Sequence, residues 1–236
     1  MYNVAVGNDA GKAVTTGTQN TLIGGLAGDA ITTGDNNVAL GYEALTANTV
    51  GDRSTALGNF ALKSQNPATN ADMYNVAIGH NAGGDVSTGT GNTLIGGLAG
   101  DALTAGNDNV AIGKDALSAD TLGSGSVAIG LVALQDQNFT TATNAYNTAI
   151  GRSAGRDITT GVNNVIIGAL AGDALTDADL NVAVGKGALT TDTLGSNSVA
   201  IGFAALEAQN FTTATDSYNT AVGSAAGAAV TTGVQN

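Results

Sequence analysis

The sequence predicts an all-β fold, a parallel β-solenoid (β-roll) wound in coils of 17, 17, 17 and 21 residues that group into 72-residue units. Three observations carry this expectation: one short phrase recurs along the whole chain, glycine returns at a fixed phase of it, and large side chains are scarce. Of 236 residues, 35 are Gly, one is Pro and none is Cys or Trp; 43% are hydrophobic but only 4% aromatic. The core must then be thin and regular, built from Ala, Val, Ile and Leu. A 17-residue period is too short for a helical hairpin, whose repeats run to about 33 residues, and suits one coil of a solenoid.

The phrase reads Asn or Ser, Val or Thr, a small or aliphatic residue, an aliphatic residue, then Gly. It opens at Asn3, Asn20, Asn37, Ser54, Asn75, Asn92, Asn109, Ser126, Asn147, Asn164, Asn181, Ser198 and Asn219, and Asn236 begins another copy. Places in a coil are counted from this first residue. Asn3, Asn75, Asn147 and Asn219 open successive 72-residue units. Met1-Tyr2-Asn3-Val4-Ala5 matches Met73-Tyr74-Asn75-Val76-Ala77, so Met1 is read as an internal residue. The expectation is one continuous segment over residues 1–236, about 13 coils cut from a longer fibre, forming a rod on the order of 60 Å.

Gly fills place five of all 13 copies and place fifteen of nine of the ten 17-residue copies, Ala178 being the exception. Gly also fills place nine in the first two coils of each unit, as at Gly11, Gly28, Gly83 and Gly100. Such columns mark corners that need positive φ, or points where a neighbouring segment passes closely.

Alternate strand residues point to opposite faces, so places two and four share one face and place three the other. Both faces are apolar. The third place is Ala except at Leu22, Leu94 and Ile166, where the ninth is Gly; where the third is again Ala, the ninth becomes Leu45, Leu62, Leu117, Leu134, Leu189 or Leu206. That exchange of bulk marks the inner face. Place eight is Ala in every copy, a point where the wall lies closest. The outer face needs a second cover, and another copy of the chain supplies it. Its candidate residues are Val4, Val6, Ile23, Ile78, Ile95, Val110 and Ile112, continuing through Val127, Ile129, Ile150, Ile167, Val199 and Ile201. Stacked first-place Asn residues are expected to bond along the axis and satisfy turn backbone, with Ser54, Ser126 and Ser198 interrupting them.

The four extra residues of each fourth coil are expected to bulge outward, where solenoids place binding function. Asn138, Phe139, Thr140, Asn210, Phe211 and Thr212 form the candidate exposed loop and match a glycosylation acceptor; Asn66-Pro67-Ala68 does not. The favoured alternative is a turn whose Phe folds back on the roll. Tyr2, Tyr74, Tyr146 and Tyr218 precede successive units, either packing as caps on the bulge or offering stacking platforms.

Chemistry is expected to be absent: no enzyme activity, no catalytic residue, no metal and no cofactor. Lack of Cys excludes disulfides, thiolate zinc and thiol catalysis. A net charge of −12 argues against nucleic acid, and no window reaches the roughly 18 apolar residues of a membrane span. The opening residues lack the basic and apolar regions of a signal peptide. His80 aligns with Asn8, Arg152 and Ser224 and reads as a bystander. Asp29, Asp101 and Asp173 lie 72 residues apart, too far to ladder around calcium. Lys12, Lys114 and Lys186 are not followed by Ser or Thr, so no phosphate loop is complete.

The phrases Asn75-Val76-Ala77-Ile78-Gly79, Ser126-Val127-Ala128-Ile129-Gly130 and Ser198-Val199-Ala200-Ile201-Gly202 resemble the head repeats of trimeric autotransporter adhesins. The longer pattern Asn147-Thr148-Ala149-Ile150-Gly151-Arg152-Ser153-Ala154-Gly155, followed by Thr159-Thr160-Gly161, resembles repeats of bacteriophage tail fibres. The resemblance covers the whole chain. It implies a left-handed roll and a homotrimer packed or intertwined through the Val and Ile face. It further implies a fibre shaft on a virion, presenting loops or a distal tip to a cell-surface glycan or protein receptor. The 17 and 21 spacing departs from the adhesin pattern, and no stalk or membrane anchor is recognisable, which favours the tail fibre over a bacterial extracellular adhesin. An ice- or carbohydrate-binding solenoid ranks third, because the Thr15-Thr16, Thr32-Thr33 and Thr159-Thr160 rank is broken in the third and fourth coils of each unit.

Overall fold

The computed structural model describes residues 2–236, in which every regular element is a β-strand and none is a helix. The chain divides into two compact segments, Met1–Asp115 and Ala116–Asn236. In the first, β1 (Val4–Val6), β2 (Thr21–Ile23), β3 (Val38–Leu40), β5 (Thr55–Leu57), β7 (Val76–Ile78), β8 (Thr93–Ile95) and β9 (Val110–Ile112) pair in parallel in chain order. A short second pair joins β4 (Gly51–Asp52) to β6 (Ala71–Asp72). In the second segment, β11 (Val127–Ile129), β13 (Thr148–Ile150), β14 (Val165–Ile167), β15 (Val182–Val184), β17 (Val199–Ile201) and β19 (Thr220–Val222) repeat the arrangement. There β10 (Gly123–Ser124) pairs with β12 (Thr143–Asn144), and β16 (Gly195–Ser196) with β18 (Thr215–Asp216). Within each segment the fold is the predicted parallel solenoid.

Register explains how coils of unequal length stack. Val4 faces Thr21 across a 17-residue coil, and Thr55 faces Val76 across a 21-residue one, yet both pairs join second places. The extra residues are absorbed before β6, β12 and β18, so each insertion is an arc that returns to the preceding coil.

The middle residue of the three-residue strands faces inward, as Ala39, Ala77, Ala111, Ala149 and Ala183 are fully buried. Two glycine columns are fixed by close approach. At Gly79 φ is +137° and a Cβ would lie 2.5 Å from Gly96 O; at Gly34 φ is ordinary, but a Cβ would lie 2.6 Å from Gly51 O. Place nine differs. Gly28 has φ 54°, but Leu45, at the same place one coil later, adopts φ 57°. The corner is left-handed whichever residue occupies it, at a cost of about 1–2 kcal/mol for a side-chain-bearing residue. Gly is needed at Gly28 for room, because a Cβ would fall 2.8 Å from both Leu22 and Ile31.

Candidate assembly face and unit junctions

Places two and four turn away from the core; place four forms an aliphatic column along each segment, flanked at place two by Val or by Thr21, Thr55, Thr93, Thr148 and Thr220. Val4, Val6, Ile78, Ile150, Ile167 and Ile201 are exposed, Val6 at 58% and Ile78 at 38%; Ile23, Ile95, Val110, Ile112, Val127, Ile129 and Val199 are half-buried. Place four is Ile, Val or Leu in every coil, including Leu40, Leu57, Val184 and Val222. Their neighbours above and below shield their edges, while their tips face outward. Covering each would contribute about 1 kcal/mol, at the usual value of apolar surface removed from water.

The first-place Asn side chains hold the coils from the other side of the corner. Asn20 N–H donates to Asn3 Oδ1 (2.9 Å), Asn37 N–H to Asn20 Oδ1 (2.9 Å), and Asn20 Nδ2 to Gly34 O (2.8 Å). One amide thus satisfies backbone of two successive coils. Direct amide-to-amide bonds join Asn92 to Asn75 (3.3 Å) and Asn164 to Asn147 (3.2 Å), so the ladder is chiefly side chain to backbone. Serine is too short for both tasks. Ser54 N–H still donates to Asn37 Oδ1 (2.9 Å), but its hydroxyl turns inward to Gln65 Oε1 (3.0 Å).

That inward bond exposes a feature the sequence reading missed. Place twelve is buried too, and within each unit it runs apolar, apolar, polar, polar. The columns are Val14, Ile31, Asn48, Gln65, then Val86, Leu103, Asp120, Gln137, then Ile158, Leu175, Asp192, Gln209. Every member except Val14 is fully buried. The order mirrors place nine, where Gly, Gly, Leu, Leu supplies the complementary volume. A 72-residue period, rather than a 17-residue one, is the signal that reveals it.

At the second unit's end Asp120 Oδ1 accepts from Gly123 N–H (3.0 Å) and Phe139 N–H (3.2 Å), while Oδ2 accepts from Gln137 Nε2 (2.6 Å). Gln137 Oε1 then accepts from Asn147 Nδ2 (2.8 Å). The third unit repeats this with Asp192, Gly195 (3.1 Å), Phe211 (2.9 Å), Gln209 (2.6 Å) and Asn219 (2.8 Å). In the first unit the Asn48 side chain bonds to Gly51, through Oδ1 (2.9 Å) and Nδ2 (2.8 Å), and among the described residues the buried Gln65 Nε2 has no partner.

These bonds correct the candidate exposed loop. Phe139 and Phe211 are buried, at 5% and 6%, whereas Asn138, Thr140, Asn210 and Thr212 are exposed. The cause is the buried Asp, which draws in the Phe N–H, together with Thr121 and Thr193, whose hydroxyls donate to Phe139 O (2.8 Å) and Phe211 O (2.8 Å). The tyrosines combine both readings. Tyr74 is 57% exposed, yet Arg53 Nη1 donates to its hydroxyl (3.2 Å), which donates to Asp72 (3.2 Å). Tyr146 lies across Gly125, its Cδ1 2.7 Å from where a Cβ would sit.

His80 is exposed and meets Phe60 edge-on at 5.7 Å, and Phe60 meets Tyr42 at 5.6 Å. No metal-holding group of His, Cys, Asp and Glu forms among the described residues. The Thr15 and Thr32 hydroxyls donate to carbonyls of the next coil (both 3.0 Å). Burial pushes the Asp101 carboxyl above the usual range, with the charges of Asp85 and Asp115 adding to it. Burial also raises Asp136, helped by Asp157 and opposed by Arg156.

No protein-family model, curated protein or solved structure matches the chain.

Proposed function

We propose that this chain is shaft material of a homotrimeric fibre of the bacteriophage tail-fibre kind, holding a receptor-binding part away from the particle that bears it. The observation that carries the proposal is the aliphatic column at place four, flanked by Val or Thr at place two, open on a parallel sheet and renewed in every coil. A sheet apolar on both faces needs cover on both, and sister copies bring an identical column in register. The role is mechanical. Each coil is tied to the next by strand pairing, and in three coils of every four also by an Asn that bonds two coils, so an axial load meets several parallel links at each step. The site is an extracellular or virion surface, and the partner a cell-surface glycan or protein reached through the loops or a tip.

The test is assembly. By analytical ultracentrifugation the parent is expected to sediment as a trimer, and Ile129→Asp as a monomer that keeps its β circular-dichroism signal, because a charge on the column cannot be buried unpaired. A monodisperse, soluble monomeric parent would remove the proposal, as would a mutant that assembles like it. The Val-Ala-Ile-Gly phrases at β7, β11 and β17 favour a bacterial adhesin as second reading. Gene neighbourhood separates the two: baseplate and tail genes for the first, a secretion signal and anchor in the same reading frame for the second.

A further inference from the structure

Outside the column and the buried junctions, unlike reactive side chains converge at one place in the first segment. Lys63 Nζ donates to Asn81 Oδ1 (2.9 Å) and lies 3.5 Å from Asp85 Oδ1. Asn81 Nδ2 in turn donates to Asp101 Oδ2 (3.4 Å). The three coils involved are successive, Lys63 at place ten of one, Asn81 and Asp85 in the next, and Asp101 in the one after. The amide is held. Asn81 N–H bonds to Asn59 O (2.9 Å), its φ is 53°, and Gly84 passes so close that a Cβ there would fall 2.7 Å from Asn81 Cγ.

We propose that Lys63 and Asn81 join in an intramolecular isopeptide bond between consecutive coils, with Asp85 and Asp101 moving the protons. The Lys63 ammonium gives a proton to Asp85, and the freed Nζ lone pair attacks Asn81 Cγ, forming the new C–N bond. Asp101 in its acid form protonates Nδ2, the Cγ–Nδ2 bond breaks and ammonia leaves. The surplus Nζ proton returns to Asp101, and the proton on Asp85 leaves with the ammonia as ammonium. Nothing is oxidised or reduced, and no co-reactant is needed. Asp101 Oδ2 is the carboxyl oxygen placed against Nδ2 (3.4 Å), and burial shifts this carboxyl upward, toward the protonated form. Both groups lie on one chain, with Nζ 2.9 Å from the oxygen of the amide it would attack, so the reaction is unimolecular.

The constellation is confined to the first junction. At the equivalent places the lysine is replaced by Gln135 and Glu207, and the asparagine by Ser153 and Ala225, although Asp157 and Asp173 retain the acids in the second. A covalent tie there spans the coils around the junction whose interior leaves Gln65 Nε2 without a partner.

Intact-mass spectrometry of the full chain, before and after days at neutral pH, tests the proposal. The expected result is a mass lower than the sequence mass by one ammonia, about 17 Da. Trypsin should then give a single peptide over residues 54–114, closed into an internal loop by the link from Lys63 to Asn81, with cleavage after Lys63 lost. Lys63→Arg and Asn81→Ala should keep the full mass, and Asp101→Asn should slow the loss by roughly a hundredfold. A parent at full mass with complete cleavage after Lys63 would overturn the proposal. So would a mass loss that persists in Lys63→Arg.

Discussion

The first junction and the two later ones solve the same packing problem with different residues. Asp120 and Asp192 are buried carboxylates, each accepting two backbone N–H bonds and one from a glutamine. Asn48 takes their place where Pro67 stands for Phe139 and Phe211. The two exchanges belong together. Proline has no N–H, so an acid at position 48 would be buried with one donor fewer, and a buried charge is tolerated only when fully hydrogen-bonded. Bulk is conserved as well. Phe211 fills the space against Gly195, its ring 2.8 Å from where a Cβ would lie, while Pro67 and Met73 share that space against Gly51 at 3.2 and 3.1 Å. Small residues, Ala145 and Ser217, occupy the Met73 place in the later junctions.

Removing the buried acceptor from each junction separates the two most strongly. Asp192→Ala would leave the N–H groups of Gly195 and Phe211 without their acceptor in a dry interior and would leave Gln209 Nε2 with only its bond to Ser198 Oγ (2.9 Å). A loss of about 3 kcal/mol is expected from stranded donors, less the relief of burying a charge. Asn48→Ala strands chiefly the Gly51 N–H, because Gly51 O still accepts from Asn37 Nδ2 (2.8 Å), so about 1–2 kcal/mol is expected. Denaturant unfolding of both variants measures the difference; equal losses would mean that the carboxylate bonds contribute nothing beyond packing.

A sharper version converts one junction into the other. Asn48→Asp alone offers Gln65 Nε2 an acceptor but buries a carboxylate with two donors instead of three, and is expected to lower stability by about 1 kcal/mol. Adding Pro67→Phe and Met73→Ala restores the third donor and the volume. The combined variant should match or exceed the parent, with a non-additive gain of about 1–2 kcal/mol in a mutant cycle. Strict additivity would show that the co-occurrence of Asn48 with Pro67 has no energetic basis.

Legibility in the sequence followed from how often a role is repeated. The period, the close-approach glycines at places five and fifteen, the inward third place and the Asn column each recur in nearly every coil, so one residue type states one constraint. Place twelve was overlooked because its role changes within the unit: Ile31 and Asn48 are one coil apart, yet one is core and the other a buried polar link. Left-handed backbone at Leu45 or Leu134 is likewise invisible, since local preference argues against it and only stacking against the next coil, as in Leu45 N–H to Ala61 O (3.0 Å), compensates. Phe139 stands among the candidate loop residues because its sequence neighbours are polar, and its burial agrees with the favoured alternative of a Phe folded back on the roll; what the sequence does not show is the anchor, Asp120, 19 residues earlier.

The smallest expected effect concerns the surface of the same junctions. Asp136 stands at place eleven, where the first and third units carry Ser64 and Ala208, and its carboxyl is raised by burial and by Asp157. A folded-state value above the unfolded one means that the folded chain holds the proton more readily. The charged form is therefore a penalty at neutral pH, relieved as pH falls through the raised value and gone below the unfolded one. Asp136→Asn should raise stability at neutral pH by no more than about 0.5 kcal/mol, because solvent screens so exposed a group, and should make no difference in strong acid. Thermal unfolding of parent and variant across that range should show two curves converging as pH drops. A gap that widened in acid would mean that Asp136 is held by its Arg156 neighbour rather than opposed by Asp157.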